Sequence, residues 1–260
     1  MSKSFGFIGG GRVVHIILAG LRNQDYQTEE IKIYDPNDDA VKALQQVHPE
    51  YNIVSVCIED VGDQDWIFLA VHPPDMKSVL VELASVLKPN SLVISLAPVI
   101  TISEMAILLG DHSSIARSIP NAASYINHGY NPVCFAPGVD SQIQVEFLGL
   151  MKSLGECPVV EESTLEAYAI ITAMGPTYFW PQIQQLHQLA LQYGLTDKET
   201  AAGIQSMLQG TIDLLYNSPL EYDQVIDLIP VKPMNEQVGK LCENYQTSLT
   251  ALYQKLKRIN

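Results

Sequence analysis

Near the start of the chain, in KSFGFIGGGRVVHIILAGL from Lys3, three glycines stand side by side between two apolar runs. The first run is too short for a helix and is continuous rather than alternating, which marks a strand covered on both faces. The second, Arg12 to Leu21, carries helical spacing. Glycine at the junction allows backbone conformations closed to other residues and leaves no Cβ in the way of an approaching group. Strand, glycine turn and helix in that order bring the first N–H groups of a helix to one point, the arrangement that holds a diphosphate.

Gly9, Gly11 and Val14 occupy the positions of G-x-G-x-x-G/A, with β-branched Val14 where a third small residue is expected; it should push helix and strand slightly apart. Context strengthens the reading, because IKIY follows as a second strand and closes on Asp35, where a carboxylate accepts from ribose hydroxyls. Gly9, Gly10, Gly11, Arg12, Val13 and Asp35 are therefore the first cofactor-side candidates. A turn that is sterically necessary but binds nothing, and an Asp35 that only opens a turn before Pro36, are the alternatives. Arg12 stands in the first helical turn, where a cation is unfavourable unless an anion lies nearby; a solvated surface arginine is the other reading. Asp35, with Asp38 and Asp39 behind it, would repel a 2′-phosphate, so NADH is expected over NADPH.

Strand and helix patterns continue to alternate after the turn. Asp38–Val47 reads as a helix, WIFLAV as a strand, Asp75–Leu87 as a helix and SLVISLA as a strand, and Thr101 with Glu104 forms a capping box. SSIAR and NPVCFA add strands, Ser141–Ser153 a helix and CPVV a last short strand. From Glu161 on, only helical spacing remains. The expectation is an α/β protein: a Rossmann-type parallel sheet domain at 1–160, followed by an all-helical domain at 161–260, with a closely packed boundary at 158–163.

Composition narrows the function classes. The 260 residues are 47% hydrophobic and 17% charged, so the chain is globular. A formal charge of −14 leaves no basic patch for nucleic acid or an anionic membrane. No apolar run reaches the ~18 residues that span a bilayer, and no cleavable leader is evident. Cys57, Cys134, Cys157 and Cys242 form no CxxC pair and are read as reduced packing residues, which points to the cytoplasm. The six histidines show no i, i+4 pairing, so no metal site is expected. His15 is read as a packing or surface residue, and His187 as a helix-face residue.

In GFIGGGRVVHIILAGL, IYDPNDDAVKAL, FLAVHPPDM, LVISLAPVIT, RSIPNAA and TAMGPTYFW the chain resembles the pyrroline-5-carboxylate reductase family, which reduces a cyclic imine to proline. The resemblance implies that Ala70, Val71, His72 and Pro73 border the cofactor, with His72 where the family usually has lysine. It places Pro120 and Asn121 near the nicotinamide, where the Asn121 amide suits a carboxamide; a turn-capping asparagine is the alternative. TAMGPTY implies a substrate side with Gly175 and Pro176, and hydroxyls at Thr172 and Thr177 that orient the imine or relay a proton. The chain departs from the family in LIPVKPMNEQ, where a donor-rich loop for the substrate carboxylate is replaced by a stretch with two prolines and no hydroxyl. Lys232 there offers a point charge to an anionic substrate, or is solvated surface. The family assembles through its helical domain, which implies at least a homodimer.

Three functions stay open at this point. The first is an NAD(P)H-dependent reductase of a C=N bond in a small, carboxylated substrate, with pyrroline-5-carboxylate as the family default. The second is a dinucleotide-binding sensor or scaffold without turnover, suggested by the altered loop. The third is a keto- or hydroxy-acid reductase on a related plan.

Overall fold

The computed structural model describes residues 3–258. The order of elements begins β1 (Phe5–Ile8), α1 (Arg12–Arg22), β2 (Ile31–Tyr34), α2 (Asp38–Val47), β3 (Ile53–Ser55), α3 (Ile58–Gly62), β4 (Trp66–Leu69) and α4 (Pro73–Ala84). It continues with β5 (Leu92–Ser95), α5 (Ile102–Leu108), β6 (Ile115–Ser118), β7 (Gly129–Tyr130), β8 (Val133–Phe135), α6 (Ser141–Lys152) and β9 (Gly155–Glu156). After β9 come α7 (Leu165–Tyr168), a π-helical turn at Ala169–Ala173, α8 (Pro176–Gln192), α9 (Asp197–Asn217), α10 (Tyr222–Asp227) and α11 (Asn235–Arg258).

Seven strands form one sheet in the order β3-β2-β1-β4-β5-β6-β8. All neighbours are parallel except β6 and β8, which run antiparallel. This is the Rossmann-type α/β sheet that the alternating patterns predict. The chain moves outward from β1 to β3 and then crosses back to lay β4 on the other side of β1. Connections therefore leave β1 and β4 in opposite directions at their C-terminal ends, and a crevice opens there.

The core follows from the apolar runs. β1, β4 and β5 are buried at every position, as strands covered on both faces must be. Phe7 and Phe68 stack across the β1–β4 pair with ring centroids 4.8 Å apart. Val14, which the glycine motif would have small, is itself fully buried in this core.

Several local readings are met by the geometry. α2 spans Asp38–Val47, capped by the Asn37 side chain. Both bonds of the Thr101–Glu104 capping box are made. Other readings need correcting. Ile53–Ser55 is an edge strand that its short, mixed sequence does not announce. CPVV is not a strand of the sheet: only Val159 forms an isolated bridge, to Val133, and the short strand lies just before, at Gly155–Glu156. Gly155 has φ +135 and an added Cβ would meet the Gly129 backbone at 2.1 Å, so the pairing of β7 and β9 rests on two glycines. Cys134 and Cys157 are buried packing residues, whereas Cys57 and Cys242 are exposed, the Cys57 thiol donating to Asp60 at 3.1 Å.

The chain divides into two compact units. One takes in the described residues up to Met174 together with those from Leu252 on; the other is Gly175–Ala251. The expected boundary at 160/161 thus falls inside the first unit, and two physical ties account for this. Arg117 on β6, 1% exposed, donates to Glu162 and Glu166 at 2.8 Å each, and Lys257 at the end of α11 donates to the Ser163 carbonyl at 2.8 Å. The second unit contains α8, α9, α10 and most of α11. Its α9 starts at a Thr196–Glu199 capping box.

Candidate functional site

The glycine turn sits where the sheet changes direction. Gly9 continues the β1 ladder, donating to the Tyr34 carbonyl at 2.7 Å, while Ala70 donates to the Ile8 carbonyl at 2.8 Å. Gly9 has φ +99, and a Cβ there would lie 2.7 Å from the Ala70 carbonyl oxygen. That position demands glycine for backbone reasons alone. Gly11 differs: an added Cβ would meet nothing within 4 Å, so the space beside it is open.

Gly11 is also the N-cap of α1. It supplies no capping side chain, and the first turn contains no acidic residue. Helix-start N–H groups at Gly11, Arg12 and Val13 therefore receive no capping carboxylate from α1 itself. Arg12 is exposed beside them. An uncapped helix start, an adjoining open space and a nearby cation are what a diphosphate requires, so these residues fit a dinucleotide.

Asp35 closes β2 beside this turn. Its Oδ2 accepts from the Gly10 N–H at 2.7 Å and its Oδ1 from the Asn37 N–H at 2.8 Å. Two main-chain donors hold the carboxylate against the glycines. Asp38 and Asp39 follow in the first turn of α2, and the one lysine of that helix, Lys42, is bonded to Asp39 at 3.0 Å.

Ala70 and Val71 follow β4, both half-buried, and exposed His72 is the N-cap of α4, with Pro73 at its first position. Asn121 lies past the C-terminal end of β6 and is 8% exposed. Its Oδ1 accepts from the Ala123 N–H at 2.8 Å, its own N–H donates to Asn131 Oδ1 at 2.9 Å, and its Nδ2 donates to the Thr172 carbonyl. Thr172 lies in the π-helical turn, and its hydroxyl donates to the Tyr168 carbonyl at 2.8 Å. The first unit thus brings together the glycine turn, Asp35, residues 70–73, Asn121 and Thr172 at the C-terminal side of one sheet. Gly175, Pro176, Thr177 and Lys232 belong to the second unit, where Gly175 is buried and Thr177 and Lys232 are exposed. In that unit His187 pairs with Asp197 at 2.8 Å.

Sequence reasoning missed a histidine pair. His15 Nδ1 lies 2.9 Å from His48 Nε2, and His48 Nδ1 lies 3.3 Å from Glu50. Burial pulls the His48 imidazole below the usual histidine value, while Glu50 opposes that pull. Nothing in the local sequence joins positions 15 and 48; only the α1–α2 arrangement does. Among the described residues no cluster of three or more His, Cys, Asp or Glu has metal-binding geometry.

Comparison with known proteins agrees with this geometry. A family model described as NADP oxidoreductase coenzyme F420-dependent matches residues 4–98. The chain is similar to the pyrroline-5-carboxylate reductase of Escherichia coli (strain K12), 30% identical over 198 residues that cover 75% of this chain and 72% of the relative. Its fold is similar to that of the Plasmodium falciparum pyrroline carboxylate reductase with NADP bound, with TM-score 0.77, 20% identity, and 99% and 98% of the two chains covered. A pyrroline-5-carboxylate reductase from Coxiella burnetii gives TM-score 0.75 at 24% identity, over 100% and 99% of the two chains. With the dinucleotide-fitting turn in place at the switch point of the sheet, this likeness settles kinship: the chain belongs to the pyrroline-5-carboxylate reductase family.

Proposed function

We propose that this protein is an NAD(P)H-dependent reductase of a C=N bond in a small carboxylated imine, with pyrroline-5-carboxylate, reduced to proline, as the first substrate to test. The observation that carries the reading is the uncapped start of α1 at Gly11, open beside the turn and set where the connections from β1 and β4 part. When bound, the nicotinamide supplies the hydride. The chain's share of the work is to bind and orient: Gly9 to Val13 hold the diphosphate, Asp35 the adenosine ribose, residues 70–73 the cofactor's inner side, and Thr172 the imine. Gly175, Pro176, Thr177 and Lys232 are the second unit's own substrate candidates, with Lys232 offering a charge to a carboxylate.

NADH is the preferred donor in this reading. Asp35 is pinned beside the turn, and Asp38 and Asp39 add two further negative charges. A 2′-phosphate about 5 Å away meets roughly 3 kcal/mol of repulsion per charge before solvent screening at an effective dielectric near 20. The expected ratio of kcat/KM is at least about tenfold in favour of NADH, and Asp35→Asn should shrink it. The protein works as a cytoplasmic homodimer or larger homo-oligomer joined through its helical unit; no described helix is long and apolar enough to cross a membrane.

A second reading, nucleotide binding without turnover, is favoured by one observation. Leu228–Met234 is exposed throughout and, with LIPVKPM as its sequence, offers no hydroxyl to a carboxylate. Incubation with NADH or NADPH and pyrroline-5-carboxylate, then with related cyclic imines, while following the reduced cofactor's absorbance, separates the two. Consumption supports the reductase. Tight NADH binding by calorimetry with no consumption supports the sensor, and no binding of either nucleotide overturns both.

A further inference from the structure

We infer that Asn121 is a positioning residue for the imine rather than a ligand of the cofactor, an inference that rests on the reductase reading above. Three hydrogen bonds bear on this role. Oδ1 caps the turn at Ala122–Ile126 through the Ala123 N–H, the backbone N–H is held by buried Asn131, and Nδ2 donates to the carbonyl of Thr172. Asn131 Oδ1 also accepts from the buried Ser124 hydroxyl at 2.8 Å, so the base on which Asn121 stands is itself fixed.

The acceptor of the third contact explains its purpose. Ala169–Ala173 is a π-helical turn, closed by the i→i−5 bond from the Met174 N–H to the Ala169 carbonyl at 3.0 Å. A turn of that width is less regular than an α-helix and leaves carbonyls in need of donors. Asn121 supplies one at Thr172, fixing the last turn before Gly175 and Pro176. The Thr172 side chain is fixed with it, because its only proton goes to the Tyr168 carbonyl. The hydroxyl therefore presents lone pairs and no donor.

That polarity selects a reacting group. A protonated C=N bond brings an N–H and needs an acceptor, whereas a ketone brings a carbonyl oxygen and needs a donor. Hydride addition to the carbon of the protonated C=N bond breaks the π bond and leaves its electron pair on nitrogen, which already carries its proton; the dinucleotide is oxidised by two electrons. No side chain has to supply a proton in that step, which suits a site whose Thr172 hydroxyl is a poor acid. Asn121 sets the acceptor in place by holding the backbone beneath it.

The test compares Asn121→Asp, which keeps an oxygen to cap Ala123 but when ionised has no donor for Thr172, and Asn121→Ser, whose single O–H on a shorter side chain cannot serve both partners, with Thr172→Val and Thr172→Ser. Both Asn121 variants are expected to lower kcat/KM for the imine by about 30-fold, because small misplacements of a reacting group are costly. Their NADH dissociation constants, from quenching of protein fluorescence, should stay within about twofold of wild type. Exchange of the Met174 amide should quicken in both, a readout that needs no turnover. Thr172→Val should match the imine defect, Thr172→Ser should restore activity, and a 2-oxo acid should be rejected by wild type by at least about 100-fold relative to the imine.

Equal losses in NADH affinity and imine kinetics would make Asn121 a cofactor ligand and overturn the inference, as would variants with unchanged imine kinetics. If neither Asn121 variant folds, the Thr172 pair decides, and a valine variant with wild-type imine kinetics overturns it. A wild-type protein that reduces no imine overturns the functional reading and the inference together; a wild-type reductase with flat variants overturns the inference alone.

Discussion

In the sheet unit Phe7, Ile8, Leu18, Ile33, Ile67 and Leu80 are wholly removed from solvent, whereas in Gly175–Ala251 Val225 is the only buried apolar side chain. Both regions carry regular apolar spacing in sequence. They differ in what lies opposite each stripe. Every helix flanking the sheet has a strand surface to cover, but Leu186 at 44%, Ile212 at 51% and Tyr216 at 81% exposure have none within their own unit. Apolar periodicity reports that a face requires a cover; it does not say which chain supplies it.

The largest test of this difference is to charge the helical unit. A Leu186→Glu, Ile212→Glu double variant should dissociate the proposed dimer and make activity depend on protein concentration, as read by light scattering and dilution assays. A wild-type protein that is monomeric at micromolar concentration would remove the explanation altogether. Next in size is Phe68→Ala in the sheet unit. It should cost about 3–5 kcal/mol in denaturant unfolding, with no dependence on protein concentration. Gly9→Ala comes third: positive φ and the 2.7 Å approach to Ala70 should cost about 1–3 kcal/mol, and calorimetry should show NADH binding lost while the helical unit keeps its association.

The smallest effect is a pH dependence confined to the sheet unit. Because burial lowers the His48 pKa in the folded state, the unfolded chain binds more protons at mildly acid pH. Stability is therefore complete above the unfolded value of 6.5 and declines as pH falls through it towards the lower folded value. Thermal melts from about pH 7.5 to about pH 5.5 should show the decline, and His48→Gln should flatten it. An equal slope in that variant would place the titration on another group.

Much of the fold was legible because its signals are local. The buried runs of β1 and β4, the caps at Asn37 and Thr101 and the glycines of the turn each depend on residues within one element. Edge strand β3 was not legible, since three residues paired on one side carry little pattern. Asn121 was half legible. Its capping of Ala123 is a local contact, but its hold on Thr172 joins positions 51 residues apart.

The sequence by itself determined the sheet-forming alternation, the glycine turn after β1 and the carboxylate that ends β2, because each follows from backbone sterics or from burial within a short segment. Tertiary structure decided that the first unit runs on to Met174 and takes back the end of the chain, that His15 meets His48, and that the Asn121 amide reaches the Thr172 carbonyl. Those outcomes depend on which carbonyls and charges become neighbours once the chain is packed, and linear order carries no record of such distances.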